Sequence, residues 1–206
     1  MNYYIDFDNT LYETAKLTNL MLEEIEKSIS EITKIDIEEL INESRNNFNS
    51  TTDNIFSFAE RMANKYDVNT QIVLENVNNV ILNGKDIVFE DGKRFIEKLK
   101  SLGHKIFILT YIPKGNQEYQ MKKIMGSGIS QYFDGIIITS DYKFNLDMKY
   151  ENGIFIDDDP RDLNGLYEKN PIQVIRIRKP NNKRSKIEID NKDIKEYDSF
   201  DNIEIF

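Results

Sequence analysis

Short apolar runs alternate with helical patterns through the second half of this sequence, and no other feature restricts the fold as strongly. The runs Ile106–Leu109 and Ile136–Ile138 are continuously apolar, as expected for strands buried on both faces of a sheet. Strands that alternate with helices favour a parallel sheet. We therefore predict an α/β fold, with a Rossmann-like, mainly parallel sheet covered by helices on both faces. The predicted strands are Tyr3–Phe7, Lys105–Thr110, Gly135–Thr139, Gly153–Ile156 and Ile172–Ile177, and the predicted helices of this part are Asp91–Leu102, Asn116–Met125 and Asp162–Glu168.

The segment between the first predicted strand and the others has a different pattern. From Glu13 to Lys34, apolar residues recur three or four positions apart, which is typical of one face of a helix. Similar patterns predict helices at Ile37–Phe48, Thr52–Tyr66 and Thr70–Leu82. We found no strand pattern in this segment. We therefore predict two domains, a sheet domain of residues 1–12 and 87–206 and an inserted all-helical domain of residues 13–86.

Composition narrows the chemistry that the chain can perform. The 206 residues carry a net charge of −9, so nucleic acid is an unlikely partner, because phosphate backbones require a basic face. The sequence has no cysteine, and its one histidine, His104, lies in a predicted turn. Acid–base or metal chemistry must then use carboxylates, hydroxyls and lysines. A strand pattern begins almost at Met1 and no apolar run reaches membrane-spanning length, so we expect a cytoplasmic protein without a signal peptide or membrane segment.

Two carboxylates follow the first predicted strand one residue apart. If Tyr3–Phe7 is a strand, its period of two places Asp6 and Asp8 on the same side at the carboxyl end. Ligands of open α/β sheets bind beyond the carboxyl ends of the strands. Taken alone, the pair has a simpler interpretation, because Asp8, Asn9 and Thr10 are also common turn and N-cap residues.

Three later strands end in groups that suit a phosphate. Ile106–Leu109 is followed by Thr110, and Ile136–Ile138 leads to Lys143. Ile154–Ile156 runs directly into an acidic segment that contains Asp157, Asp158 and Asp162. Each group alone is as well explained by a solvated loop or a helix cap. Their shared position after strands of one sheet instead predicts a common site.

These motifs resemble the haloacid dehalogenase (HAD) superfamily, and specifically its phosphatase branch. Tyr3–Thr10 matches the family's first motif, an apolar strand followed by Asp-x-Asp-x-Thr. Ile106–Thr110 matches the second, Lys143 is the candidate for the lysine of the third, and Ile154–Asp162 matches the acidic fourth motif. The family inserts a helical cap between its first two motifs, where this sequence has its helical block. Dehalogenases lack the second aspartate of the first motif, so Asp8 favours phosphoryl transfer.

The resemblance implies a phosphatase that hydrolyses a small phosphorylated metabolite, such as a nucleotide, through an aspartyl-phosphate. Asp6 would be the nucleophile, and Asp8 would protonate the leaving oxygen and later activate water. Thr110 and Lys143 would hold the transferring group. The resemblance also leaves a nucleotidase, a phosphotransferase and a catalytically silent module of the same fold as alternatives.

The same resemblance implies a bound Mg²⁺. Two carboxylates ~4 Å apart repel each other by about 4 kcal/mol at an effective dielectric constant near 20, and a divalent cation removes this repulsion. Oxygen ligands without histidine or cysteine suit Mg²⁺. The expected ligands are Asp6, the backbone carbonyl of Asp8, and Asp158, with Asp162 in a supporting position. Asp157 is an alternative ligand.

The sequence also departs from the family pattern and leaves several choices open. The segment after the third strand lacks the usual Lys-Pro pair, so Lys149 competes with Lys143 for the third motif. The bulky Tyr111 follows Thr110 where a small or amide residue is common. A basic run spans Arg176 to Lys186, and it is either a solvated loop or a rim that attracts a polyanionic substrate. The oligomeric state stays open.

Overall fold

A computed structural model describes residues 1–49, 54–147, 153–169, 172–180 and 182–205. The chain divides into two compact units, one formed by Met1–Glu13 with Lys85–Phe206 and the other by Thr14–Gly84. Within the described ranges, no helix combines the length and the apolar character that crossing a bilayer requires.

The first unit contains a six-stranded sheet in which every pair of neighbouring strands is parallel. The strand order is β3-β2-β1-β4-β5-β6. The predicted α/β fold with a parallel sheet is therefore confirmed. The strands are β1 (Asn2–Ile5), β2 (Lys105–Tyr111), β3 (Gly135–Thr139), β4 (Gly153–Asp157), β5 (Gln173–Ile177) and β6 (Lys195–Tyr197).

The ends of all five predicted strands agree with the observed ends to within two residues. β6 was not predicted, because Lys195–Tyr197 is short, polar and largely exposed. Such an edge strand has no apolar run that would reveal it. β1 ends earlier than Phe7 because the carbonyl of Phe7 accepts hydrogen bonds from the amides of Leu11 and Tyr12, which turns the chain away from the sheet.

Three helices of the first unit pack with the sheet. They are α5 (Glu90–Ser101), α6 (Gln117–Gly126) and α7 (Pro160–Lys169). Leu163 and Leu166 of α7 join Tyr4, Leu109 and Phe155 of the strands in one apolar core. The central position of β1 agrees with its sequence, because Tyr3, Tyr4 and Ile5 are bulky side chains that are buried on both faces of the strand.

The second unit is all-helical. Its helices are α1 (Thr14–Thr33), α2 (Ile37–Asn47), α3 (Ile55–Lys65) and α4 (Thr70–Leu82), and their order was expected from the sequence. Asp36 caps α2 and Asn69 caps α4 by accepting backbone amide hydrogen bonds. Asn54 caps α3 in the same way.

The register of the sheet brings the polar strand ends to one edge. Ile5 of β1 lies opposite Ile108 of β2 and Ile156 of β4. Asp6 is the first residue after β1, and its amide donates to the carbonyl of Ile156 over 2.9 Å. Asp6 and Asp157 therefore leave the sheet at the same level, as the parallel arrangement requires.

Gly165 of α7 allows this helix to approach the short 3₁₀ turn Lys143–Asn145. A Cβ atom at position 165 would lie 2.5 Å from Cγ of Phe144, which is closer than real contacts allow. We expect Gly165→Ala to lower the free energy of unfolding by about 1–3 kcal/mol, because the aromatic ring must move. Urea denaturation measures this change. Glu168→Ala, an exposed position of the same helix, is the control, and equal stability of the two variants would contradict the prediction.

Candidate active site

Lys143 is the central cation of a buried group of carboxylates. It begins the 3₁₀ turn after β3, and its side chain is 2% exposed. Its Nζ atom lies 2.5 Å from Oδ1 of Asp6 and 2.6 Å from Oδ2 of Asp157. The Lys143 amide donates to Oδ1 of Asp162 over 2.9 Å. Lys143, the candidate for the third motif, therefore contacts residues of the first and fourth predicted motifs. Its rival Lys149 lies outside the described residues.

Burial and charge shift the pKa values of this group in identifiable ways. Burial lowers the pKa of Lys143, but Asp157 and Asp6 outweigh it, and the net pKa is raised. Burial holds the pKa of Asp6 well above its usual range, and Asp157 and Asp158 add to this effect against the opposing charge of Lys143. Burial, with the charge of Asp157, also raises the pKa of Asp162 to about 6. The group therefore contains more negative charge than Lys143 alone can neutralise.

Three of these carboxylates form a candidate metal site. Asp6, Asp157 and Asp158 are all buried, and each offers an oxygen atom within 4.8 Å of the others. Burial, together with Asp157, raises the pKa of Asp158 to about 7. An all-carboxylate set of this kind fits Mg²⁺, which prefers oxygen ligands. The set contains the expected ligands Asp6 and Asp158, with Asp157 as the third side chain.

Asp8 occupies a different environment from Asp6. Its carboxylate forms an ion pair with the buried Lys123 of α6 and accepts a hydrogen bond of 2.6 Å from Nε2 of Gln120. The same Nε2 donates over 3.0 Å to the hydroxyl of Thr110, which is fully buried. Asp8 is thus held by two side chains of one helix. Its predicted role as a metal ligand through the backbone carbonyl stays a prediction.

Asp6 and Asp8 open onto one cavity of about 130 Å³. Asn9 directly follows Asp8. Its φ of 61° is a left-handed conformation, which asparagine tolerates better than most residues do. Besides these three residues, the cavity is lined by Tyr111, Tyr142, Lys143, Asp159, Arg161, Asp162 and Arg184. The two carboxylates of the first motif therefore face the same space as Lys143.

Comparisons with known proteins identify the family to which this chain belongs. A family model described as haloacid dehalogenase-like hydrolase matches residues 3–166. This chain belongs to that family. The predicted resemblance is therefore confirmed, and the protein is a HAD-like hydrolase.

Solved structures share the fold of this HAD-like hydrolase at low sequence identity. A HAD phosphatase from Thermococcus onnurineus is 19% identical with a TM-score of 0.55, and the match covers 97% of this chain and 94% of that one. The magnesium-bound HAD-hydrolase YfnB from Bacillus subtilis is 13% identical with a TM-score of 0.55, over 97% and 95% of the two chains. CbbY from Rhodobacter sphaeroides, in complex with xylulose-(1,5)bisphosphate, is 14% identical with a TM-score of 0.55, over 98% and 95%. No curated protein matches the sequence.

Residues of the basic run of this HAD-like hydrolase have different environments. Some form ion pairs away from the cavity, and Arg184 lines the cavity. Arg176 is fully buried and pairs with Glu196, while Lys179 pairs with Asp91. Arg184 instead lines the cavity, and its Nη1 atom donates to Oδ1 of Asp158 over 3.1 Å. Burial lowers the pKa of Arg184, but Asp158 and Asp159 outweigh it and raise the net value.

Sequence reasoning missed three polar residues near the predicted catalytic pair and acidic segment. Gln120 and Lys123 lie three positions apart on the buried face of α6, next to Ile124. A lysine on a buried helical face is a signal that could have identified this pair. Asn182 has no comparable signal, because it contacts Asp158 from a loop more than 20 residues later in the chain. A loop position of this kind depends on the whole fold.

Proposed function

We propose that this hydrolase is a Mg²⁺-dependent phosphatase that acts on a small phosphate monoester through an aspartyl-phosphate intermediate. One observation carries the proposal: Asp6 and Asp8 line one cavity together with Lys143, which contacts Asp6 directly. A nucleophile, a second carboxylate for proton transfer and a cation for the transferring group are the parts that this reaction needs.

Asp6 would attack phosphorus and form the acyl phosphate while the ester oxygen leaves. The second carboxylate, Asp8, would give its proton to that oxygen and then accept a proton from the water that hydrolyses the intermediate. Gln120 and Lys123 would keep Asp8 in one orientation through both steps. Lys143 would neutralise charge on the phosphoryl oxygens. Thr110 is bound to Gln120, so we assign it to the support of Asp8 as well as to the predicted phosphate contact.

The acidic trio Asp6, Asp157 and Asp158 would hold the ion. A bound Mg²⁺ supplies positive charge that lets a phosphate dianion approach a carboxylate nucleophile. Asp162 would support the site through Lys143, whose amide it binds. The helical unit Thr14–Gly84 lies between the first and second motifs in the chain, and we propose that it is the cap that selects the substrate.

The test is the hydrolysis of p-nitrophenyl phosphate by the full chain with and without Mg²⁺. We expect phosphate release that depends on the ion and stops when EDTA is added. Mg²⁺ at 100 times its Kd should also stabilise the fold by about 2.7 kcal/mol, which a thermal melt detects. Asp158→Asn should weaken both effects, whereas the exposed Asp190→Asn should leave them unchanged. Equal hydrolysis with and without the ion would reject the proposed metal dependence.

A further inference from the structure

Two arginines at the cavity share a single carboxylate. Arg161 and Arg184 both line the cavity, and both contact Asp159. Arg161 binds Asp159 with two hydrogen bonds, of 3.2 Å from Nε and 2.8 Å from Nη2. The Nη2 atom of Arg184 lies 3.2 Å from Oδ2 of the same carboxylate. Asp159 is buried, so it fixes the two guanidinium groups side by side.

Arg184 loses one of its two carboxylate partners when the proposed metal site is filled. Arg184 also contacts Asp158, which belongs to the acidic trio. A carboxylate that binds Mg²⁺ no longer neutralises an arginine, so Arg184 would keep only Asp159, which Arg161 already uses. Asp162 also lines the cavity, but its carboxylate binds the backbone amide of Lys143. The Nη1 donors of Arg184, which contact Asp158, would then be available to an anion that enters the cavity.

The position of Arg161 is restricted by aromatic rings as well as by Asp159. Its guanidinium carbon lies 5.6 Å from the centroid of Tyr142, within the range of a cation–π contact. Tyr142 is itself stacked on Phe144 at a centroid distance of 5.2 Å. A guanidinium held in this way loses less conformational freedom when it binds an anion than a free side chain would.

We propose that Arg161 and Arg184 bind a second anionic group of the substrate, so that the substrate class is a phosphate monoester with a nearby carboxylate or second phosphate. Guanidinium groups bind both anions through paired hydrogen bonds. The cavity, at about 130 Å³, is smaller than the ~300 Å³ of typical ligand pockets, so the two anionic groups must be a few bonds apart. This inference rests on the proposed function, because the first anionic group is the phosphoryl group that Asp6 attacks.

The experiment measures binding of three phosphonates, which the enzyme cannot hydrolyse, by calorimetry with the full chain in saturating Mg²⁺. Propylphosphonate has one anionic group, whereas phosphonopropionate adds a carboxylate and propylene bisphosphonate adds a second phosphonate. We expect at least one of the latter two to bind about tenfold more tightly than propylphosphonate, which is the gain of one charge-assisted contact. The one that binds more tightly identifies the second group.

Arg161→Gln and Arg184→Gln should each reduce this preference to about twofold. Lys186→Gln is the matched control, since Lys186 belongs to the same basic run, is exposed and does not line the cavity. Equal affinities for the three phosphonates, or a preference that both variants retain, would overturn the inference. If the enzyme hydrolyses p-nitrophenyl phosphate but binds the three phosphonates equally, the proposed function stands and this inference fails. If it prefers a phosphonate with two anionic groups but hydrolyses nothing, only the proposed function is rejected.

Discussion

Replacing Asp6 by asparagine is expected to lower kcat for aryl phosphate hydrolysis by at least about 10³-fold, because the variant lacks the nucleophile. The same change should not destabilise the fold. Burial, with Asp157 and Asp158, holds the pKa of Asp6 well above its usual range, so the ionised carboxylate is disfavoured in the folded state. An uncharged side chain of the same shape should leave the free energy of unfolding unchanged or raised.

Steady-state kinetics and urea denaturation of the same preparations separate these effects. The control is Asp193→Asn, which removes an exposed carboxylate far along the chain and should change neither quantity. A variant at position 6 that retains more than about a tenth of the wild-type kcat would exclude Asp6 as the nucleophile. A large loss of stability would instead assign Asp6 a structural role.

Replacing Lys143 by methionine is expected to lower the free energy of unfolding by about 3–5 kcal/mol in the absence of Mg²⁺, because Asp6 and Asp157 lose their common cation while they stay buried. The loss should be smaller at acidic pH than at alkaline pH. At acidic pH the Asp6 carboxylate is protonated and its uncompensated charge is removed, because its pKa is already well above the usual range and the variant lacks the Lys143 charge that lowers it.

Urea denaturation at several pH values measures this effect, and Lys169→Met is its control. Lys169 is exposed and binds the side chain of Asn145, so its loss should cost little at any pH. Adding Mg²⁺ to Lys143→Met should recover part of the lost stability, since the ion binds the same carboxylates. A loss that does not vary with pH would contradict the assignment of Lys143 as their neutralising cation.

The fold was predictable because hydrophobic periodicity determines it directly. Continuous apolar runs such as Ile106–Leu109 became interior parallel strands, and the stripe of α1 that contains Leu17, Met21 and Ile25 is buried. β6 was missed for the same reason. Lys195–Tyr197 pairs with β5 through backbone hydrogen bonds, and such bonds leave no trace in side-chain hydrophobicity.

The candidate site was predictable where a polar residue directly follows a strand. Asp6 follows β1, and Thr110 and Asp157 lie at the carboxyl ends of β2 and β4, which the register of a parallel sheet brings together. Lys143 lies four residues beyond β3, and its position depends on the 3₁₀ turn that packs against α7. The sequence placed Arg184 only within a basic run, which was either a solvated loop or a rim for a polyanionic substrate. The ion pairs of Arg184 with Asp158 and Asp159 require a return of the chain from β5.

The strand order has a consequence for how this protein forms in the cell. β1 is the first strand to be synthesised, yet it pairs with β2 and β4, whose registers join Asn2 to Lys105 and to Gly153. At ~5–20 residues per second, a ribosome needs roughly 10–30 s between the first strand and its second neighbour. During that interval a very apolar segment has unpaired edges. Nascent chains should therefore depend on chaperones until β4 has been translated.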